Sequence, residues 1–140
     1  MIQTIKINKM SHFDKVRDYL MELEYSIISE DKNTEVFMVE SEEDGINNLV
    51  IGVADPILII EQYIFDLKND NDGSISKQLL MKNRDIVHGA FVLDEKGEKV
   101  IFRDTLQVEN LDLNELEGSL TSLSLLLSEF TDQIISFSKN

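Results

Sequence analysis

The chain of 140 residues has no cysteine, no tryptophan, two histidines and a single proline, Pro56. Without cysteine it has no disulfide framework, no zinc ribbon and no thiol nucleophile. Two histidines are too few for a histidine-rich metal site. Positive charge is also scarce: Lys and Arg total 13 against 27 Asp and Glu, a formal net charge of −14. Such a chain is repelled by nucleic acid, whose affinity depends on neutralised phosphates, and by anionic membrane surfaces. Its charge fits a solvated acidic surface or a basic protein partner. No run approaches the roughly 18 apolar residues of a membrane span. The start, Met1-Ile2-Gln3-Thr4-Ile5-Lys6, lacks the apolar stretch of a secretory leader. A cytoplasmic protein with no nucleic-acid or membrane partner is expected.

No repeat, low-complexity stretch or Gly/Ser/Pro-rich linker divides the chain, so residues 1–140 read as one domain. A chain of this mass buries about two-thirds of its surface on folding, enough for an unaided core. Ser11 followed by Asp14 is a capping-box-like helix start, and Phe13, Val16, Leu20 and Leu23 make one helical stripe. Four strand-like runs follow, at Tyr25–Ser29, Glu35–Glu40, Asn48–Ala54 and Ile57–Leu67. The short turns between them predict an antiparallel meander, with Asp55-Pro56 at a strand boundary. A short helix is expected from Ile75 to about Asn83, then a hairpin of Ile86–Leu93 and Lys99–Val108 turning at Asp94-Glu95-Lys96-Gly97. Asp112 and Glu115 open the last helix, with Leu111 and Leu116 as a hydrophobic staple. Its stripe runs from Leu113 through Leu116, Leu120, Leu123, Leu127, Phe130 and Ile134 to Phe137. The reading is α+β: helix, antiparallel strands, short helix, hairpin and a long C-terminal helix lying on the sheet.

The strands depart from the apolar/polar alternation of a half-exposed sheet. Val36 and Met38 point one way and Phe37 and Val39 the other. Leu49, Ile51 and Val53 oppose Val50, Gly52 and Ala54, and Ile57 and Ile59 oppose Leu58 and Ile60. Tyr63, Phe65 and Leu67 read as one face, with Ile64 on the other. The helices can shield one face. The second needs a further helix, another subunit or a bound chain.

Chemistry-bearing motifs are weak. Asp70-Asn71-Asp72-Gly73-Ser74-Ile75 imitates part of a calcium loop, but Lys68 and Leu79 occupy the positions of two strong ligands. A polar turn capping the next helix is the better reading. His88, in Val87-His88-Gly89-Ala90, reads as a structural histidine on a strand, with Gly89 allowing close approach there. His12 reads as solvent-facing. Glu61 interrupts an apolar strand and fits a salt bridge to Arg84 or Arg103, or a strand edge. A hydrolase built on Glu61 or His88 is the remotest alternative, since no nucleophile elbow accompanies them. No Gly-rich phosphate loop occurs, and no cofactor or metal is expected.

Ala54-Asp55-Pro56 before an apolar strand, then Asn83-Arg84-Asp85-Ile86-Val87-His88-Gly89-Ala90-Phe91-Val92-Leu93-Asp94, carry a family resemblance. Phe102-Arg103-Asp104-Thr105-Leu106 and Asn110-Leu111-Asp112-Leu113-Asn114-Glu115-Leu116 continue it. Over about residues 50–138 the chain resembles the YbjN family, whose members are often labelled Tir-chaperone-like, with a type III secretion chaperone-like fold. The strand at Ile57–Leu67 is one that a minimal secretion chaperone would not need. The resemblance implies a small acidic homodimer without a catalytic centre. The expected function is a non-enzymatic, chaperone-like or regulatory protein-binding module that pairs with itself and receives an extended or basic client. Val36, Met38, Leu49 and Ile51 are the candidate contacts. A small-ligand-binding or signalling domain, its apolar layer enclosing a pocket, is the alternative.

Overall fold

The structure, a computed structural model, describes residues 10–139; the start read above for a leader, Met1–Lys6, lies outside the described residues. Helix α1, His12–Glu22, begins where the Ser11 hydroxyl accepts the Asp14 N–H at 3.0 Å. Its stripe buries Phe13, Val16 and Leu20. It ends at Leu23, and Glu24 takes a left-handed φ of 64° that turns the chain into the sheet. Strands β1 (Ser26–Asp31), β2 (Val36–Ser41), β3 (Ile46–Ala54) and β4 (Ile57–Asp66) form the meander. Helix α2, Ser74–Asn83, leads to the hairpin of β5 (Ala90–Leu93) and β6 (Lys99–Gln107). Helices α3 (Leu113–Glu129) and α4 (Thr131–Lys139) close the described chain.

All pairings are antiparallel, in the order β1-β2-β3-β4-β6-β5. The hairpin docks by its second strand, so β4 joins meander to hairpin through its pairings with both β3 and β6. The strand that a minimal chaperone would not need is thus a central one. The four helices among the described residues share one face. Phe13 of α1 stacks on Phe37 of β2 with ring centroids 4.2 Å apart. Ser119 of α3 donates to Asp104 of β6 at 2.5 Å, and Phe137 of α4 lies 6.2 Å from Phe65 of β4. Ile75 and Leu79 of α2 join the same core.

Three local readings change. A bulge between Tyr63 and Phe65 reverses the alternation of β4, so Phe65 enters the core while Tyr63 stays half exposed. The run Ile86–Leu93 is strand only from Ala90; residues 86–89 form a loop ending at Gly89, whose φ is 88°. A Cβ on Gly89 would overlap the Phe102 ring. The long C-terminal helix is present but interrupted at Phe130, where the Thr131 hydroxyl donates to the Leu127 carbonyl.

Candidate partner-binding surfaces

Antiparallel partners share a face, so the register gives the surface opposite the helices row by row. Val36, Gly52, Ile59 and Thr105 form one row. Ser29, Met38, Val50, Glu61, Arg103 and Ala90 form the next. Tyr63, Ile101 and Val92 follow, and Ile57 with Gln107 lies at the other end. None of the four described helices lies on this face. Val36, Met38, Val50, Ile57, Ile59 and Ile101 each keep part of their surface exposed, whereas Phe37, Leu49, Ile51, Leu58 and Ile60 on the helix side are at 0%.

This divides the candidate contacts. Val36 and Met38 lie on the open face. Leu49 and Ile51 do not: each is one residue out of phase with the open row and is sealed under the helices. Val50 and Gly52, the cross-strand neighbours of Met38 and Val36, lie on the open face instead, with Ile59 beside Gly52.

At the centre of the open face Arg103 donates to Glu61 at 2.9 Å, one of the two salt bridges expected of Glu61. The pair is partly exposed and sits in a field of aliphatic side chains. A second cluster lies where β4 and β6 end, with Tyr63 donating to Asp66 at 2.8 Å and Lys99 to the same carboxylate at 3.2 Å. The Tyr63 hydroxyl first, and then Lys99, hold the Asp66 carboxyl below the usual carboxylate range. Both ion pairs are internally neutral on a chain of net charge −14.

The two edges of the sheet differ. At β5, the Asn83 side chain accepts the Phe91 N–H at 2.7 Å and donates to the Phe91 carbonyl at 3.1 Å. That side chain stands in for a further strand. At the other edge Ser26 and residues 28–31 of β1 are exposed, with a bulge between Ile27 and Ser29 and with acids at Glu30 and Asp31. Bulges and charges restrain indiscriminate pairing at such an edge.

On the helix side, a groove of about 540 Å³ opens between α3 and the loop 85–88. His88 lines it, exposed, so it is not the structural strand histidine expected; its carbonyl accepts the Ser122 hydroxyl at 3.0 Å. Val87 is 85% exposed at the same place. Glu61 and His88 thus lie on opposite sides of the sheet, and the structure does not bring them together. His12 is half-buried. Asp70 acts as the local cap expected of its turn. Its carboxylate accepts the Ile75 N–H at 2.8 Å and the Ser76 N–H at 3.2 Å, and the Ser76 hydroxyl keeps it below the usual range. Among the described residues, no group of three or more His, Asp or Glu side chains could hold a metal ion.

The CesT_Tir_1 family model matches residues 9–140. The chain belongs to the CesT_Tir_1 family. Among solved structures, YbjN from E. coli, described as a candidate transcription regulator, matches with a TM-score of 0.68 at 14% identity, covering 89% of this chain and 96% of its own. A chain in the HopA1–SchA chaperone–effector complex gives 0.59 at 15% identity, covering 94% of this chain and 98% of its own. One in the Yersinia pestis complex of the type III secretion chaperone SycH with a fragment of YscM2 gives 0.56 at 16%, covering 91% and 100%. These likenesses show a CesT_Tir_1 fold shared with YbjN and with secretion chaperones. None of the curated proteins matches the chain. No helix among the described residues is long and apolar enough to cross a membrane.

Two features of this CesT_Tir_1 chain escaped the sequence reading. Alternation could not say which apolar face the helices choose, because both are apolar. The groove is hidden in the sequence because residues 86–89 read as strand, whereas residues 86–88 form its loop wall. Gly118, an isolated glycine inside a helical pattern, was the available signal for it.

Proposed function

We propose that this chain is a non-enzymatic, chaperone-like protein-binding module of the cytoplasm, one domain over residues 1–140, that pairs with a second copy through the open face of its sheet. The carrying observation is that face itself: aliphatic side chains in register on β2, β3, β4 and β6, with no described helix over them. With strands about 4.8 Å apart and a rise of about 3.4 Å per residue, the face offers a footprint of roughly 500 Å² per copy. Two such footprints reach the ~1,000 Å² at which specific interfaces begin. A second copy suits the charge. Two chains of −14 repel except where each is locally neutral, and the open face carries paired charges. Across a two-fold axis near β4, Glu61 of one copy can meet Arg103 of the other.

Family membership supports protein binding, and two of the similar structures are complexes of a chaperone with another protein. An extended client fits the β1 edge, where main-chain groups are available, better than the β5 edge that Asn83 occupies. Sedimentation velocity over a micromolar range tests the pairing. The native chain is expected to sediment as a dimer, and Met38→Asp/Ile59→Asp as a folded monomer. A native chain that stays monomeric throughout contradicts the reading.

A further inference from the structure

The groove between α3 and the loop 85–88 lies apart from the open sheet face and is not used by the pairing above. Along α3, Glu117, Thr121, Leu125 and Glu129 line it at four-residue steps, so they form one row on the helix. At about 1.5 Å per residue, the end residues of that row stand about 18 Å apart along the helix axis. Between them the groove presents exposed apolar surface beside Thr121: Leu125 is 55% exposed, and Val87 on the facing loop 85%. Asp85 adds a third carboxylate, and no lysine or arginine lines the groove among the described residues.

Gly118 provides a separate observation. It sits inside α3 on the groove wall, where glycine destabilises a helix relative to alanine. A Cβ there would meet only His88 Nε2, at 4.0 Å, an ordinary contact. The chain's own packing therefore does not require glycine. The missing Cβ leaves the helix backbone open to close approach from the groove.

We propose that this groove seats a segment of another protein with an apolar centre flanked by lysine or arginine, the basic groups about 18 Å apart to reach Glu117 and Glu129. Charge selects this occupant. A second copy pairing groove to groove would bring acid to acid. An uncharged small molecule would leave the carboxylates unused. The inference deepens the protein-binding reading by naming the partner's chemistry, and it rests on a different surface from the dimer.

The test titrates the full chain into a fluorescent, helix-forming peptide of about 16 residues, with leucines at helical spacing and lysines about twelve residues apart. Saturable binding is expected, weakened about tenfold by Glu117→Lys/Glu129→Lys. Gly118→Leu, shown to be folded by its melting transition, is expected to abolish binding. Gly118→Ala is expected to raise the melting temperature by roughly 3 °C while weakening binding. Ile59→Asp, on the open face, leaves peptide binding unchanged, so the groove and the dimer fail separately. The proposal is overturned by no saturable binding at millimolar peptide or by equal binding of a glutamate-flanked peptide. Full binding by folded Gly118→Leu, or binding of a small apolar dye in the groove without any peptide binding, overturns it equally.

Discussion

The two faces of the central sheet are made of the same residue types and differ in what covers them. On β4, Leu58 and Ile60 are at 0% exposure, while Ile57 and Ile59 beside them keep part of their surface in water. Both rows favour burial to a similar degree. Only one meets helices, because the apolar stripes of α1 to α4 converge on Phe37, Leu49, Ile60 and Phe102. Apolar content thus makes a strand stable in a sheet, and the supply of covering elements decides which row becomes core. The uncovered row is the apolar surface that the proposed pairing would use.

Substitution at adjacent positions gives the largest contrast. Ile60→Ala empties a sealed site and is expected to cost about 2–5 kcal/mol in urea unfolding, with the denaturant slope unchanged. Ile59→Ala, in chains kept dilute enough to be monomeric, is expected to cost under about 1 kcal/mol. Equal losses would remove the distinction between the faces. Next comes the polar contact on the helix side. Ser119, at 0% exposure, donates to Asp104, and Ser119→Ala is expected to cost about 1–2 kcal/mol by removing one of the two donors to that carboxylate, the Thr105 N–H remaining at 2.9 Å. The ion pair on the open face behaves oppositely. Glu61→Gln is expected to change monomer stability by no more than about 1 kcal/mol, since the pair is partly exposed. Its effect shows instead as weaker self-association in sedimentation.

The smallest effect comes from acid. The Ser76 hydroxyl and the Ile75 and Ser76 N–H groups lower the Asp70 carboxyl below its ordinary value. Its stabilising contribution is therefore complete above the unfolded value of about 3.9 and fades as pH falls through the lower folded value. Asp70→Asn is expected to lower stability slightly at neutral pH and to match the native chain at low pH, which flattens a small part of the acid limb of a stability–pH curve. A variant with the native acid limb would show that the cap contributes nothing.

Much of the fold was legible because its signals are local. Ser11 and Asp112 act as the caps that their spacing to Asp14 and Glu115 predicts. Gly97 takes the positive φ that its hairpin turn needs. Glu61 found Arg103, one of its two expected cations. What stayed hidden depends on tertiary context. The bulge at Ile64 separates Tyr63 from Phe65, and strict alternation cannot register an inserted residue. Val87 is β-branched and apolar, so it read as strand, although its segment is a loop presenting it to solvent. The faces of the candidate contacts were half legible for the same reason. Alternation put Val36 with Met38 and Leu49 with Ile51, but the choice of core face belongs to the helices.

The central claim is that two copies meet face to face about the Glu61–Arg103 pair, and charge reversal tests it most directly. Glu61→Arg makes the centre of the face wholly positive, and Arg103→Glu makes it wholly negative. Sedimentation equilibrium is predicted to show each variant alone as a monomer and the equimolar mixture as a one-to-one dimer. A mixture no heavier than its components, or single variants that dimerise like the native chain, would contradict the account.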